Sequence, residues 1–345
     1  MGDAPRRGPL GALLSLGTVA YSTGVGLRRA AYRAGWVSVS RAGCPVISVG
    51  NIAVGGTGKT PFCIMLVERL SQLGLQVAVL SRGYGAKVRS RKPVIVSRGD
   101  GPLVDVEVSS DEPALIARRT SASVVVCPDR AAGARVAVEE LGAQVLVLDD
   151  GFQHWRLHRD LDVVLLDARR PFGDGRLLPA GRLREPPEAI GRAGLIVLAH
   201  GSNTAPPRRD FPGAVEVTTA ATPVLVDGQP RTVDHLDGQR LVVLAGIGRP
   251  ERFVETVEAL GAEVVGRHLH RDHAWITRRQ VEAALDDARD QGAAGVITTE
   301  KDAVRMGDAA ADLQVLQIET RVRAGEDRLQ AALDRTLAGV LGEVR

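Results

Sequence analysis

Gly55, Gly56 and Gly58 lead into Lys59 and Thr60 within PVISVGNIAVGGTGKTP, residues 45–61. This pattern suits a polyphosphate. Glycines let backbone N–H groups turn onto phosphate oxygens, and a helix beginning at the lysine adds partial positive charge. The lysine would hold β- and γ-phosphates, and the threonine hydroxyl would reach Mg²⁺. Val54, Gly55, Gly56, Thr57, Gly58, Lys59, Thr60 and Pro61 are therefore the expected nucleotide contacts. Ala53 stands where the strict G-x-x-x-x-G-K-[ST] form has its first glycine, but the glycines nearest the lysine do the cradling.

A phosphate loop also needs an acid for the metal, normally at the end of a neighbouring strand. AQVLVLDDGFQH provides Asp149 and Asp150 after an apolar run, and either carboxylate could hold Mg²⁺ directly or through water. A pair of acids capping the turn at Gly151 is the structural alternative.

Those residues require a frame. Short β-branched runs recur at 45–50, 75–81, 123–128, 143–150, 160–167 and 194–200, with helical stretches such as 59–73 and 129–141 between them. That alternation predicts a mostly parallel sheet covered by helices, of the P-loop NTPase type. GSNTAPPRRDFPG at 201–213 interrupts it, and strand and helix patterns resume from RLVVLAGIG at 240–248. The expected organisation is an N-terminal helix over 1–40 and a nucleotide-binding domain over 41–235, ending in a linker near 201–235. A smaller α/β domain over 236–345 would close over the site.

Length and composition exclude other classes. A chain of 345 residues with 44% hydrophobic content can bury a large core. The net charge of +3 is uneven, with +5 on residues 1–41 and −2 on the rest, so no basic body for nucleic acid exists. Cys44, Cys63 and Cys127 lack the pairing or spacing of a disulfide framework or a zinc site.

Residues 8–27 carry no charge but contain five glycines, which makes them weakly apolar for a membrane span. Arg28, Arg29 and Arg33 follow beside Tyr32 and Trp36, the pairing of cation and aromatic found at headgroup level. An interfacial helix on an anionic cytoplasmic leaflet is expected; packing on the protein's own surface is the alternative.

GNIAVGGTGKTP (50–61), LSRGYG (80–85), SSDEP (109–113), CPDR (127–130), LDDGFQH (148–154), FGDGRLLPAGRLREP (172–186), AGIGRP (245–250), RDHAWIT (271–277) and TTEKDAVRM (298–306) occur in that order. Together they resemble the tetraacyldisaccharide 4'-kinases. The resemblance implies ATP and Mg²⁺ as cofactors, and transfer to the 4'-hydroxyl of a lipid A disaccharide precursor at the cytoplasmic face of a bacterial inner membrane. It further implies that Asp111 works with His273 in activating that hydroxyl, that Asp150 is the better metal ligand of its pair, and that Glu112 assists there. Asp111 alone would read as a helix N-cap, and only the motif selects His273 over His268 and His270. Asp174 and Arg182 stand where the family often has asparagine and proline. A membrane-associated P-loop ATPase, and a kinase for another sugar, are the competing functions.

Overall fold

A computed structural model describes residues 9–88, 90–201, 210–271 and 274–342. Helix α1 (Pro9–Arg33) comes first, and an alternating series follows: β1 (Val46–Gly50), α2 (Lys59–Gln72), β2 (Val77–Ser81), β3 (Val94–Arg98), α3 (Val106–Ser109), α4 (Asp111–Arg119), β4 (Ser123–Val126), α5 (Arg130–Glu139), β5 (Val145–Asp149), β6 (Leu161–Asp167) and β7 (Leu195–His200). The long β8 (Val215–Val226) and short β9 (Gln229–Arg231) lead into β10 (Arg240–Ala245), α6 (Pro250–Ala259), β11 (Glu263–Leu269), α7 (Arg278–Asp290), β12 (Gly295–Thr299), α8 (Glu300–Met306), β13 (Gln314–Ala324) and α9 (Glu326–Leu341).

Among the described residues, thirteen strands form one sheet in the order β11-β10-β12-β13-β8-β7-β6-β1-β5-β2-β4-β3, with β9 on β8. Pairing is parallel except at β3–β4, β8–β13 and β8–β9. The mostly parallel α/β architecture expected from the alternating pattern is the one observed. All five residues of β1, β2 and β5 are buried, as strands covered on both faces require.

The span 201–235 differs from a simple linker, because residues 215–226 form β8 and join both halves of the sheet. VEVTTAATPVLV hides its strand character behind threonine, alanine and a proline. Pro223 is accommodated where the register slips, Leu316 facing Val224 and Gln317 facing Thr222, so the ladder asks no hydrogen bond of it.

Helix α1 has two faces. Tyr21 OH donates to Arg184 O at 2.9 Å, Ala180 N donates to Thr18 Oγ1, and Tyr32 stacks on Trp155 at 5.9 Å. Leu13, Leu16, Val19 and Leu27 lie on the opposite arc and are exposed. Among the described residues, no helix is long and apolar enough to cross a membrane.

Candidate active site

The phosphate loop is built where β1 ends. Gly50 has no room for a side chain, since a Cβ would stand 2.6 Å from that of Phe152. Asn51, fully buried, donates to Thr57 Oγ1 at 2.9 Å, and Gln153 Nε2 donates to Asn51 O at 3.0 Å. Val54 N donates to Arg182 O at 2.8 Å, and Arg182 Nη2 returns a bond to Val54 O at 3.0 Å. With both ends pinned, Gly55 (φ 112°) and Gly58 (φ 79°) take backbone conformations that favour glycine. Gly58 precedes α2 without a side-chain cap, so the first N–H groups of that helix have no such acceptor. Pro61 falls in the first turn, where its missing N–H costs no helical bond. Residues 54–61 thus occupy one loop and helix start, as the sequence implied.

Asp149 and Asp150 face this loop from the end of β5, yet their surroundings differ. Asp149 is 1% exposed and has two weak donors, Ser81 Oγ at 3.3 Å and the Cys63 thiol at 3.9 Å. Burial, reinforced by the charges of Glu112 and Asp150, pushes its carboxyl up to about 7. Asp150 receives Arg184 Nη1 at 2.6 Å on Oδ2, with Lys59 Nζ 3.6 Å from Oδ1. Burial works against its charge, but Lys59 and Arg184 outweigh it and hold the carboxyl below its ordinary value. Asp150 takes φ 52°, a strained conformation for a non-glycine residue that re-aims the side chain at the strand end.

These groups fit a hard cation. Asp150 Oδ1 is buried without a hydrogen bond, Asp149 lacks a strong donor, and Thr60 is buried at the second position of α2. Among the described residues, no three acidic, histidine or cysteine side chains converge into a cage. Magnesium beside nucleotides is ordinarily held by one or two carboxylates plus phosphate oxygens and water, so a closed cage is not needed.

A second cluster lies where α4 meets α8. Asp111 is 4% exposed, and its Oδ2 accepts from Arg305 Nε at 2.9 Å and Nη2 at 2.5 Å, with Lys301 Nζ at 3.4 Å. Asp111 is the first residue of α4, and Ser110 occupies the cap position with φ 70°; the N-cap reading of Asp111 therefore shifts by one residue. Arg305 also donates to Gly246 O and Asp302 Oδ1, each at 3.0 Å, and to Ala274 O at 3.4 Å. Arg119 grips Glu300 through both carboxylate oxygens. Asp302 is fully buried and accepts from Gly246 N and Thr299 Oγ1, so it serves this junction rather than an open cleft. Four sequence motifs (SSDEP, AGIGRP, RDHAWIT and TTEKDAVRM) meet around one arginine.

Glu112 connects the two clusters. Its carboxylate accepts from Lys301 Nζ at 3.0 Å, and its charge acts on Asp149. Burial disfavours the Lys301 ammonium, but Glu112 and Asp111 more than compensate and raise its pKa. His273 lies outside the described residues. Arg184, Arg305 and Arg130 carry contacts or burial that motif matching left unassigned. Each lies within a quoted motif, and Lys301 and Arg305 share one face of α8 through their i, i+4 spacing.

Comparison with known proteins identifies the wider group. The family model described as tetraacyldisaccharide-1-P 4'-kinase matches residues 10–338. The chain is 47% identical to the tetraacyldisaccharide 4'-kinase of Anaeromyxobacter sp. (strain K), covering 96% of this chain and 93% of that protein. It is 44% identical to that of Syntrophotalea carbinolica, over 90% of this chain and 87% of the relative. A crystal structure of LpxK from Aquifex aeolicus in complex with ATP superposes with a TM-score of 0.75 at 30% identity, covering 92% of this chain and 96% of the other. Agreement in sequence and fold along nearly the whole length, with a complete phosphate loop at β1, places this chain in the tetraacyldisaccharide-1-P 4'-kinase family.

Proposed function

We propose that the chain transfers the γ-phosphoryl group of ATP to the 4'-hydroxyl of a tetraacylated glucosamine disaccharide 1-phosphate, a step of lipid A biosynthesis. One observation carries the chemistry: Lys59 and a buried, unbonded oxygen of Asp150 face each other beside an uncapped, glycine-rich helix start. Phosphoryl transfer asks for positioning and charge stabilisation more than covalent help, and these residues supply both. Residues 54–61 would cradle the triphosphate, with Lys59 on the β- and γ-phosphates. A magnesium ion held by Thr60, Asp150 and Asp149, with Glu112 alongside, would neutralise phosphate charge. Asp111, its Oδ2 held by Arg305 and Lys301, would work with His273 in activating the sugar hydroxyl. In this reading residues 41–235 carry the nucleotide, and residues 236–345 form the far wall.

The acceptor's acyl chains would stay in the bilayer at the cytoplasmic face of the inner membrane. The exposed Leu13, Leu16, Val19 and Leu27 stripe supports this placement, with Arg28 and Arg33 nearby for anionic headgroups.

The test is transfer of label from γ-labelled ATP to the disaccharide 1-phosphate in detergent, with wild type, Lys59→Ala, Asp111→Ala and His273→Ala. Labelled lipid from wild type and a large loss in each variant are expected. Phosphate release without labelled lipid would instead make the protein an ATPase.

A further inference from the structure

Two chain segments distant in sequence meet at the arginine junction, and a second cation joins them nearer the surface. After β2 the chain turns at Gly83 (φ 69°) and Gly85 (φ 86°). Lys87 N then donates to Glu107 O at 2.8 Å, and Val88 N donates to the same oxygen at 3.1 Å. Lys87 Nζ pairs with Glu107 Oε1 at 2.6 Å and lies 4.0 Å from the centre of a Trp275 ring. The negative face of an indole attracts an ammonium in that position. Glu107 belongs to α3, which leads through Ser110 into α4 and Asp111. Trp275 stands two residues beyond His273.

The arrangement parallels the one around Arg305. That buried guanidinium binds Asp111 Oδ2 and Ala274 O, while Lys87, half of whose side chain is exposed, binds Glu107 and Trp275. Each cation therefore touches the α3–α4 run with one contact and the segment after His273 with the other. That segment has further anchors. Ile276 is 6% exposed in the core that contains Val242 and Leu244, and Thr277 caps α7. On the opposite flank His270 N donates to Ala245 O at 2.8 Å. An anionic headgroup is a poorer account of Lys87, because its ammonium already has a carboxylate and an aromatic ring.

We propose that Lys87 and Trp275 are positioning residues for phosphoryl transfer: with Glu107 as the fixed end, they hold the chain that adjoins His273 in register with Asp111. The proposal rests on the kinase reading above. Transfer to a hydroxyl depends on alignment, and a small displacement of the groups that activate it lowers the rate even when both substrates still bind. Neither side chain is given a contact with the reacting atoms. Their effect passes through His273 and belongs to turnover rather than to affinity. Lys87 supplies charge and Trp275 a ring face, so a variant that keeps those properties keeps the function.

The experiment measures kcat and both KM values for label transfer from ATP to the disaccharide 1-phosphate, with the thermal midpoint alongside. The proteins are wild type, Lys87→Met, Lys87→Arg, Trp275→Ala, Trp275→Phe, the double variant Lys87→Met/Trp275→Ala, and His273→Ala with and without Lys87→Met. Lys87→Met is expected to lower kcat about 10-fold and to leave both KM values within about twofold. Lys87→Arg and Trp275→Phe should recover most of the rate, and the double variant should be no slower than Trp275→Ala. In the His273→Ala background Lys87→Met should cause no further loss, because the group it positions is gone. A wild-type kcat in Lys87→Met, a raised KM for the acceptor, or an undiminished loss in the His273→Ala background would overturn the proposal. If Trp275→Ala does not fold, the two variants of the exposed Lys87 and the His273→Ala background decide by the same criteria. Wild type that labels no lipid would remove the kinase reading and this role with it.

Discussion

The two acidic clusters of the site are built on opposite principles. Beside the phosphate loop, Asp149 and Asp150 are under-partnered: one has a thiol and a hydroxyl, and the other keeps an oxygen without any hydrogen bond. At the α4–α8 junction, Asp111 is held by Arg305 and Lys301, and Arg305 is tied in turn to Asp302 and two backbone carbonyls. The first arrangement stores electrostatic need that a cation and phosphates can satisfy. The second spends its charges internally and fixes geometry. On the proposed function, similar carboxylates would serve binding in one place and rigidity in the other.

Substitutions can break that contrast, and the largest expected effect is on activity. Lys59→Ala should lower phosphoryl transfer about 10³-fold or more while costing little stability, because Asp150 keeps Arg184. Transfer rate and urea midpoint measured on the same preparation check both halves. Arg305→Ala should instead cost about 3–5 kcal/mol of unfolding free energy, because it leaves Asp111 and Asp302 buried beside a lost cation. A urea curve showing under 1 kcal/mol of change would contradict the rigid role given to this junction.

The next effect concerns pH. Asp149 has a folded pKa raised from 3.8 to about 7, so its contribution to stability is present below 3.8 and is lost as pH rises toward 7. His154 is lowered from 6.5 to about 4, so its contribution is present above 6.5 and is lost as pH falls toward 4. The two slopes oppose each other in the wild type over nearly the same range. Asp149→Asn should make stability rise more steeply with pH between about 4 and 7, and His154→Gln should make it fall, read as thermal midpoints without divalent cation. Matching curves for both variants would show that neither group titrates as assigned.

The smallest expected effect lies on α1, away from both clusters. Leu16→Glu should weaken binding to anionic vesicles roughly tenfold, because it removes one apolar side chain from the exposed stripe, and should leave the thermal midpoint in place. Vesicle sedimentation distinguishes this from a helix that merely packs on its own protein.

Much of the nucleotide side was legible because its signals are local. A buried strand, a glycine-rich turn and a helix opening on Lys59 occupy 17 consecutive residues, and β5 announces Asp149 and Asp150 by its apolar run. The other cluster is a product of tertiary contact. Residues 111, 246, 274 and 305 were quoted within motifs, but nothing in spacing says that they meet around one guanidinium. The left-handed backbone of Asp150 and Ser110 was equally out of view, since strand and helix patterns describe the residues on either side of such corners. Strand β3 is a short edge element, and β8 has a mixed composition that periodicity cannot separate from coil.

Strand β8 also bears on how the molecule can move. It is hydrogen-bonded along one edge to β7 and along the other to β13, so among the described residues the two halves are joined through a continuous ladder. Rupturing the β8–β13 ladder would forfeit a series of backbone hydrogen bonds worth about 0.5–1.5 kcal/mol each. A change of angle between the loop at β1 and the arginine junction would therefore be carried as twist along a hydrogen-bonded ribbon, whose ladder is interrupted at two slips of register, one of them at Pro223.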